Sequence, residues 1–430
     1  MKTILLNDKN YNSELQTLCK RPACPAHIEA AVADIVQQVK ERGDAAVCEF
    51  VKRFDGVEMT PERYLVTPAE IEEAKKLVTA SQKQAIKLAL KNIRTFAKMT
   101  IPKSWKKQVR PGVTLGEMYQ PMERAACYIP GGTAPLVSPA VHTVGIAKAA
   151  GVKSVVAMTP PMKNGKINPC TLYALNLAGA TEIYKLGGAY AVAALAFGTE
   201  TIQKAEIIAG PGNAYVAAAK KLIYGQSAVD MVAGPSEIMI LADGKGNVSF
   251  TAADVLSQAE HGSGLEHAVL VSPNKKFLAD VEKEINRQAE TLTRQGPLRK
   301  VLENGVFLIQ VKDMKAAAEF AGDYAPEHLE IHCKNPEAIA KQVRSAGAIF
   351  LGQWTPEPVG DFTAGPSHVL PTGGTAKYFH GLTSMDFMRR SSIVKYTEAA
   401  ILKEVSAMER IADMEGLDAH KRSASIRRTK

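Results

Sequence analysis

The stretch Ala125-Ala126-Cys127-Tyr128-Ile129 runs directly into Pro130-Gly131-Gly132-Thr133-Ala134-Pro135, and this junction decides the fold class. The uninterrupted apolar run predicts a buried strand, and the proline and glycines that follow predict a turn at its end. After this turn, strands and helices alternate along the chain. The predicted strands are 125–129, 154–158, 182–186 and 205–209, and the predicted helices are 138–150, 171–178 and 189–196. This rhythm indicates βαβ units around a mostly parallel sheet, in which ligands bind at the loops after the strands' carboxyl ends.

A second α/β series begins at about Asp230 and completes the predicted architecture. Its strands are predicted at 267–271, 306–310, 328–332 and 346–351, with helices at 275–294 and 315–321. The other regions are predicted as a polar lead-in at 1–24, helical runs at 28–54 and 68–99, a less regular stretch at 105–120 and a helical C-terminal segment from about Ser384. We therefore expect an α/β protein with two domains. The run Gly210-Pro211-Gly212-Asn213 lacks the third glycine of the standard dinucleotide-binding fingerprint.

Length and composition narrow the class of protein. The 430 residues are too many for one hydrophobic core, and 46% hydrophobic with 23% charged residues is ordinary for a globular protein. The apolar run after Met1 is too short for a signal peptide, and no segment is long enough to span a membrane. Six scattered cysteines without a C-x-x-C pair predict reduced thiols in a cytoplasmic protein. A net charge of +9 with only 6% aromatic residues and no nucleic-acid motif favours a solvated surface over nucleic-acid binding.

A candidate metal site lies in the stretch Leu256-Ser257-Gln258-Ala259-Glu260-His261-Gly262. The spacing Thr251-Ala-Ala-Asp254 is that of a capping box at a helix start, and Gly262 is a typical helix stop. On such a helix Gln258 and His261 share one face, so an amide oxygen and an imidazole could converge on one ion. The site would need further nitrogen or oxygen ligands from elsewhere in the chain. Taken alone, the motif is more often a polar helix end that faces solvent.

A candidate catalytic pair lies in Tyr324-Ala-Pro-Glu327-His328-Leu-Glu330. Adjacent carboxylate and imidazole groups suit general acid–base catalysis, because histidine titrates near neutral pH and a glutamate can activate water. Plain strand alternation, with His328, Glu330 and His332 facing water, explains the pattern equally well. Both interpretations stay open.

Two more segments carry candidate side chains. The loop Pro358–Gly374 is long and rich in glycine, as functional loops are, and it offers Asp361 as a hard metal ligand. His368 in the same loop is either a second ligand or a packing residue, and packing is favoured. The segment Glu415-Gly-Leu-Asp-Ala-His420 by itself indicates an ordinary helix end with a solvated acid.

Taken together, these motifs resemble the histidinol dehydrogenase family. The matching runs are collinear over nearly the whole chain: Tyr128–Pro135, Gly210–Asn213, Asp230–Glu237, Leu256–His261, Ala325–Glu330, Val359–Asp361, His368–Thr372 and Glu415–His420. The resemblance implies two incomplete Rossmann-like α/β/α domains, as in aldehyde dehydrogenases, with small N- and C-terminal helical extensions. The implied boundaries are 1–24 for an N-terminal extension, 25–127 with 238–382 for the metal-site domain, 128–237 for the NAD-side domain and 383–430 for a dimerisation segment.

The resemblance also implies a reaction and a set of residue roles. The reaction is the last step of L-histidine biosynthesis, a four-electron oxidation of L-histidinol through L-histidinaldehyde that uses two NAD+ and one water. The implied ligands of one Zn2+ per subunit are Gln258, His261, Asp361 and His420, and the substrate would contact these four together with Ser236, His328 and Glu415. His328 would be the general base, Glu327 would activate water, and Tyr128 and Asn213 match cofactor-contacting positions. A domain-swapped homodimer is implied, because in this family the segment of His420 reaches the partner subunit.

Two departures and three alternatives accompany the resemblance. Tyr190 stands where the family usually has a cofactor-contacting glutamine, and Ser138–Thr143 differs from a segment that usually contains methionine. The alternatives are a related dehydrogenase for another amino alcohol or polyol, a zinc hydrolase without a cofactor, and a non-catalytic metal-binding scaffold. The presence of Ser236 and Glu415 argues against the first, NADH production would exclude the second, and the third has no need of the Glu327–His328 pair.

Overall fold

The computed structural model describes residues 1–21, 26–131, 136–261 and 264–428, which form two compact units. The larger unit comprises Met1–Thr100 and Met122–Phe387, and the smaller comprises Ile101–Pro121 and the chain from Met388 onward. The strands are β1 (Lys2–Ile4), β2 (Trp105–Arg110), β3 (Val113–Pro121), β4 (Arg124–Tyr128), β5 (Ser154–Met158), β6 (Glu182–Tyr184), β7 (Ile207–Ala209), β8 (Ala228–Val229), β9 (Glu237–Ala242), β10 (His267–Ser272), β11 (Val306–Gln310), β12 (His328–His332), β13 (Ala348–Leu351) and β14 (Met388–Tyr396).

The helices surround these strands. They are α1 (Tyr11–Leu18), α2 (Ala26–Arg42), α3 (Asp44–Phe50), α4 (Pro68–Leu77), α5 (Ala80–Met99), α6 (Ser138–Ala149), α7 (Pro169–Ala178), α8 (Gly188–Phe197), α9 (Ala214–Ile223), α10 (Val248–Ala259), α11 (Lys275–Ala289), α12 (Gln295–Asn304), α13 (Met314–Tyr324), α14 (Pro336–Ala340), α15 (Glu357–Phe362), α16 (Glu398–Glu415) and α17 (Asp418–Ser425). Short π and 3₁₀ turns lie at Val51–Asp55, Pro61–Arg63, Thr375–Lys377, Ser384–Phe387 and Ile426–Arg428. Among the helices of the described residues, none combines the length and apolar character needed to cross a membrane.

One of the two parallel sheets described in the larger unit has five strands, in the order β6-β5-β4-β7-β8. β4 lies at its centre and is buried along its whole length. Alternate side chains, such as Ala126 and Val156, pack in one core with α2, α8 and α9. The residues 189–196 of α8 are all buried, which accounts for a helix that is apolar on every side. The predicted buried strand and the βαβ alternation after it are confirmed.

The other parallel sheet described in the larger unit has six strands, in the order β1-β11-β10-β9-β12-β13. Ile238 and Ile240 face α10, α11 and α12, whereas Met239 and Leu241 face α1 and α13. Strands that are apolar on both faces are what a parallel sheet covered by helices requires. The lead-in before residue 21 is more ordered than expected, because β1 adds an edge strand beside β11 and α1 packs below it.

The smaller unit differs from the sequence expectation in its strands. β3 pairs antiparallel with β2 on one side and with β14 on the other, so the stretch that was expected to be irregular forms a hairpin. The hairpin turns at Gly112, whose φ of +78° suits glycine. The C-terminal segment begins as strand β14, and it becomes helical only from Glu398. The pairing partner of β14 lies far away in sequence, which is why local patterning did not reveal it.

The start of α10 corrects the predicted capping box. Asn247 is the N-cap, and its side chain accepts hydrogen bonds from the backbone N–H groups of Ser249 and Phe250. Thr251 lies in the first turn, where its hydroxyl donates to the backbone oxygen of Asn247 at 3.2 Å. The helix ends at Ala259, so His261 follows it in the turn and does not belong to the helix. The predicted helix stop Gly262 lies outside the described residues.

Candidate active site and metal centre

The residues expected to carry the chemistry lie at the amino edge of the six-stranded sheet. Glu237 opens β9 and His328 opens β12, where the register pairs His328 with Ile238. Helix α10 joins the parallel neighbours β9 and β10, so it must run back along the sheet toward the edge where these strands begin. Its last turn therefore returns Gln258 and His261 to the same edge. Parallel sheets usually bind ligands at the opposite, carboxyl edge.

Glu327 and His328 are both oriented by the backbone of Glu237. The N–H of Glu237 donates to Oε2 of Glu327 at 2.8 Å, and Nδ1 of His328 donates to the carbonyl oxygen of Glu237 at 3.0 Å. A carbonyl oxygen can only accept, so the hydrogen of a neutral His328 ring lies on Nδ1. Nε2 is then the basic nitrogen, and it lies 3.5 Å from Oδ1 of Asp361.

Burial and neighbouring charge shift the pKa values of this pair. Burial raises the pKa of Glu327 to about 8, although the imidazole of His328 opposes the rise. Burial alone would lower the pKa of His328, but the carboxylates of Glu327 and Asp361 outweigh it and hold that pKa well above its ordinary value. Both shifts favour the protonated form, which is the form that each residue reaches when it accepts a proton from a substrate or from water.

The face of β12 that carries His328 also carries Glu330 and His332. These three side chains are 2%, 0% and 2% exposed, so the alternative in which they face water is wrong. The side chains of β12 do alternate between its two faces, as predicted. The face that carries these three residues packs against α10, where Thr251 contacts His332 at 3.3 Å. Alternation alone could not distinguish a solvated face from one covered by a polar helix.

Metal-competent side chains lie beside the Glu327–His328 pair. His261, Glu357 and Asp361 each place one ligand atom within 4.8 Å of the others. Gln258 is fully buried, yet neither atom of its side-chain amide has a hydrogen-bond partner among the described residues. Oδ1 of Asp361 and Oε1 of Glu357 are orphaned in the same way. Buried polar atoms are normally paired, so these orphaned oxygen and nitrogen atoms fit an ion with nitrogen and oxygen ligands, such as Zn2+.

Glu357 was not anticipated from the sequence. It is 2% exposed on α15, and Ser257 donates a hydrogen bond of 2.7 Å to its Oε2, which joins α15 to α10. Burial raises the pKa of Glu357, whereas the charge of the nearby His328 outweighs burial and keeps the pKa of Asp361 below its usual range. The available signal was the spacing of Glu357 and Asp361, four residues apart on one helical face.

The side chain of Glu237 forms a buried ion pair with Arg21, which was not predicted from the sequence. Nε of Arg21 lies 2.6 Å from Oε1 of Glu237, and the same oxygen accepts the N–H of Gly373 at 3.1 Å. The guanidinium stacks 3.5 Å from the ring centroid of Tyr324 and donates to the backbone oxygen of Tyr324 at 2.7 Å. The two charged side chains are 8% and 4% exposed, so each neutralises a charge that would otherwise be buried alone.

Replacing Arg21 by methionine (R21M) should therefore destabilise the fold strongly. It leaves the Glu237 carboxylate buried without its partner, which typically costs about 3–5 kcal/mol. The matched control is R42M, because Arg42 pairs with Glu49 on the surface, where a pair is worth about 0–1 kcal/mol. Denaturant unfolding of both variants measures the difference. Equal loss of stability in R21M and R42M would show that the buried pair contributes no more to the free energy of unfolding than the surface pair does.

The positions expected to contact the cofactor lie at the carboxyl edge of the five-stranded sheet. Tyr128 ends β4, and its hydroxyl accepts a hydrogen bond from the N–H of Gly188 at 3.0 Å. Gly210 follows β7 beside it with a φ of +121°, and a Cβ there would lie 2.3 Å from the Tyr128 carbonyl oxygen. Asn213 caps α9 by accepting from the N–H groups of Tyr215 and Val216. The N-terminus of α9 is therefore capped by the side chain of Asn213. This agrees with the absence of the third glycine of the dinucleotide-binding fingerprint from the run Gly210–Asn213. The part of the glycine-rich turn at 132–135 lies outside the described residues.

Tyr190, the departure from the family pattern, is a buried structural residue. It is 1% exposed; its hydroxyl accepts from the N–H of Gly187 at 3.0 Å and donates to the carboxylate of Asp55. Its ring stacks on Phe50 with centroids 6.2 Å apart. Burial raises the pKa of Asp55, and the hydrogen bond from the Tyr190 hydroxyl opposes this rise by stabilising the carboxylate.

Removing this hydroxyl in the Y190F variant should cost stability more than cofactor affinity. It leaves the Gly187 N–H and the Asp55 carboxylate without their partner, a loss of about 1–3 kcal/mol. Thermal unfolding and the KM for NAD+ are the two measurements, with Y215F as control because Tyr215 is 45% exposed. A KM raised tenfold at unchanged stability would instead show that the hydroxyl contacts the cofactor.

The remaining predicted residues are divided between the units. Ser236 is half-buried and directly precedes β9 in the larger unit. His368 is half-buried there too, with its ring 4.3 Å from that of His142, and its backbone N–H donates to Nδ1 of His142. These contacts agree with the packing role favoured for His368, which stays a prediction. Glu415 and His420 belong to the smaller unit, where both are exposed and line a cavity of about 410 Å³ between α16 and α17.

Known proteins resemble this chain along nearly its whole length. A family model described as histidinol dehydrogenase matches residues 20–428. The chain is 42% identical to histidinol dehydrogenase of Synechococcus sp. over 417 residues, covering 96% of each chain. It is 43% identical to histidinol dehydrogenase of Listeria monocytogenes over 420 residues, covering 98% of this chain and 95% of that one.

Solved structures agree with the sequence relatives. The crystal structure of histidinol dehydrogenase from Elizabethkingia anophelis superposes with a TM-score of 0.93 at 35% identity, covering 99% of this chain and 98% of that chain. Aldehyde dehydrogenase 21 from Physcomitrella patens shares the fold alone, with a TM-score of 0.50 at 11% identity and coverage of 89% and 88%. The expected aldehyde dehydrogenase-like α/β class is confirmed, and the chain belongs to the histidinol dehydrogenase family, whose members are oxidoreductases of histidine biosynthesis.

Proposed function

We propose that this chain oxidises L-histidinol to L-histidine in two NAD+-dependent steps at a zinc-bearing site. One observation carries the proposal: the backbone of Glu237 orients Glu327 and His328 beside a set of orphaned, metal-competent side chains. A carboxylate and an imidazole in one buried site can move two protons in sequence, which a four-electron oxidation of an alcohol to an acid requires. Membership of the family agrees with this reaction.

Gln258, His261 and Asp361 would hold the zinc ion in the larger unit, with Glu357 beside them. When bound, zinc supplies a Lewis acid that fixes the nitrogen atoms of the substrate and so places its alcohol carbon. The residues suit this ion because Gln258 and Asp361 offer buried oxygen atoms without other partners, and His261 offers an imidazole. Ser236, at the head of β9, would contact the substrate from the same edge.

His328 would act in the first step as the general base. Its Nδ1–H is committed to the Glu237 carbonyl, so Nε2 is the atom that takes the hydroxyl proton of L-histidinol. The flanking carboxylates raise the pKa of His328, because they stabilise the imidazolium that forms when Nε2 takes this proton. NAD+, when bound, would supply the acceptor for the hydride of the alcohol carbon, and the product of this step would be L-histidinaldehyde.

Glu327 would act in the second step by activating water. Its Oε2 is held by the Glu237 N–H, and its pKa of about 8 suits a carboxylate that takes a proton from water near neutral pH. The water would add to the aldehyde carbon as Glu327 takes its proton, and NAD+, when bound, would supply the acceptor for the second hydride, so that L-histidine results. No cysteine is needed for this step, which agrees with cysteines that are scattered along the sequence.

The cofactor and the second subunit complete the proposal. Tyr128 and Asn213, at the carboxyl edge of the five-stranded sheet, would contact NAD+. Glu415 and His420 would serve the partner subunit of a domain-swapped homodimer, His420 as the fourth zinc ligand. This is supported by the exposed apolar side chains next to them, since Ile411 and Met414 are 52% and 78% exposed, as in a surface that pairs with another chain. Unpaired cysteines, such as the buried Cys127, support a cytoplasmic enzyme.

The test is the yield of NADH per L-histidinol, measured with protein stripped by a chelator and then restored with zinc. We expect about two NADH per substrate, consistent with four electrons, and only after zinc is restored. A yield of one would mean that the aldehyde escapes and that the role of Glu327 is wrong. No NADH in zinc-replete protein would contradict the proposal; hydrolysis of a substrate without NADH would indicate a zinc hydrolase, and oxidation of another amino alcohol would indicate a related dehydrogenase.

A further inference from the structure

A second buried polar cluster lies apart from the catalytic pair. It comprises Asp254 of α10 together with Glu330 and His332 of β12, which are 7%, 0% and 2% exposed. Nε2 of His332 lies 3.2 Å from Oε2 of Glu330 and 3.9 Å from Oδ2 of Asp254. The three side chains each place one ligand atom within 4.8 Å of the others. The proposed reaction uses none of them.

The hydrogen bonds of His332 fix which of its nitrogens points into the cluster. Thr251 donates its hydroxyl hydrogen to the backbone oxygen of Asn247 at 3.2 Å, so the hydroxyl oxygen is left to accept from Nδ1 of His332 at 3.3 Å. The ring hydrogen then lies on Nδ1, and Nε2 carries a lone pair. This lone pair faces Oε2 of Glu330, and neither atom has a hydrogen-bond partner among the described residues.

The carboxylates of the cluster also lack a compensating cation. Among the ion pairs of the described residues, those of Asp254 and Glu330 join them only to His332 and to no lysine or arginine. Oε1 of Glu330 accepts the N–H of Glu357 at 2.6 Å, which satisfies one oxygen but supplies no full positive charge. Two carboxylates and an imidazole lone pair that face one another in a buried cluster repel unless a cation or protons lie between them.

We propose that Asp254, Glu330 and His332 bind a second divalent transition-metal ion, of the Zn2+ class, as a structural site. Its charge of +2 balances the two carboxylates, and the neutral imidazole adds the third ligand. Ligands at about 2.0–2.1 Å in tetrahedral geometry lie about 3.3–3.4 Å apart, and the observed separations of 3.2 and 3.9 Å bracket this value. Ca2+ fits poorly, because it takes about 6–8 oxygen ligands.

The proposed ion would join the elements that carry the catalytic site. α10 holds Asp254 and, one turn later, Gln258; β12 holds Glu330 and His332 and, at its head, His328. Glu330 also holds the first N–H of α15, the helix of Asp361. Thr251 is the outer partner that orients His332, as a hydrogen-bond acceptor commonly orients a ligating histidine.

The test is zinc content per chain, measured after incubation of the full-length protein with excess zinc and removal of unbound metal. We expect two ions in the parent protein, and one in H332N, in which Nε2 is lost. D361N should also retain one ion, the one in the Asp254 cluster, whereas the double variant D361N/H332N should retain none. H380N is the matched control, since His380 is exposed, and it should keep two.

A crystal of the parent protein provides a readout that does not depend on any variant folding. Anomalous scattering at the zinc edge should show a peak between Asp254, Glu330 and His332, and a separate peak beside Asp361. No peak in the cluster at saturating zinc, with H332N and the parent protein binding equal amounts, would overturn the proposal and show that the cluster shares protons instead. A cluster peak without the peak at Asp361 would confirm the second site and contradict the proposed catalytic zinc, so the two proposals fail separately.

Discussion

The variant E327Q is expected to convert L-histidinol to the aldehyde but to form L-histidine about 10²–10⁴ times more slowly, because it lacks the carboxylate that activates water. The glutamine oxygen can still accept the N–H of Glu237, as Oε2 of Glu327 does at 2.8 Å, so the site keeps its shape. The measurement is single-turnover NADH formation from L-histidinol and, separately, from L-histidinaldehyde. The yield should fall from about two NADH per L-histidinol toward one.

The pH dependence of aldehyde oxidation gives the same prediction a second readout. Burial raises the pKa of Glu327 to about 8, so the active carboxylate form increases as pH rises through that region, and the rate should increase with it. E327Q should lose this rise. E337Q is the control, because Glu337 is an exposed residue of α14, outside the pair. If E327Q oxidises the aldehyde at the rate of the parent protein, another group activates the water.

The variant D361N should lose zinc and, with it, activity at limiting zinc. Asparagine keeps an oxygen at this position but removes the charge, and loss of even an outer-sphere partner of a metal site costs about 10–100-fold in affinity. The change also removes one of the carboxylates that raise the pKa of His328, so the base should titrate at lower pH. Chelator competition measures the zinc affinity, and excess zinc should restore part of the activity.

The control for D361N is D280N, since Asp280 pairs with the exposed Lys276 on the surface of α11. D280N should bind zinc and turn over substrate like the parent protein. An unchanged zinc affinity in D361N would remove Asp361 from the ligand set and shift attention to its neighbour Glu357.

Sequence patterning predicted much of the fold because the strands have strong local signals. The predicted strands 306–310 and 328–332 coincide with β11 and β12, and Pro130 and Gly210, where the predicted turns after β4 and β7 begin, lie at one sheet edge as expected. Pairings between distant segments had no such signal. The short strand β1 and the long strand β14 were therefore missed.

The site was only partly predictable for a related reason. The adjacent Glu327–His328 pair and the Gln258–His261 spacing are visible in the chain, but their approach depends on α10 returning to the amino edge of the sheet. Arg21 contributes through an ion pair with a residue 216 positions away, which no local pattern encodes. Roles taken from the family resemblance, such as those of Tyr128 and Asn213, stay predictions, and so do the implied domain boundaries.

The contacts that orient Glu327 and His328 come from the main chain of Glu237, and this has a consequence for how the enzyme tolerates mutation. Nineteen of the twenty amino acids carry the same N–H and C=O, so genetic drift at position 237 can alter the ion pair with Arg21 yet leave both catalytic contacts in place. Proline alone would delete the donor to Glu327. In a library with all substitutions at position 237, most should therefore lower stability by varying amounts and keep turnover. The proline substitution alone should abolish turnover.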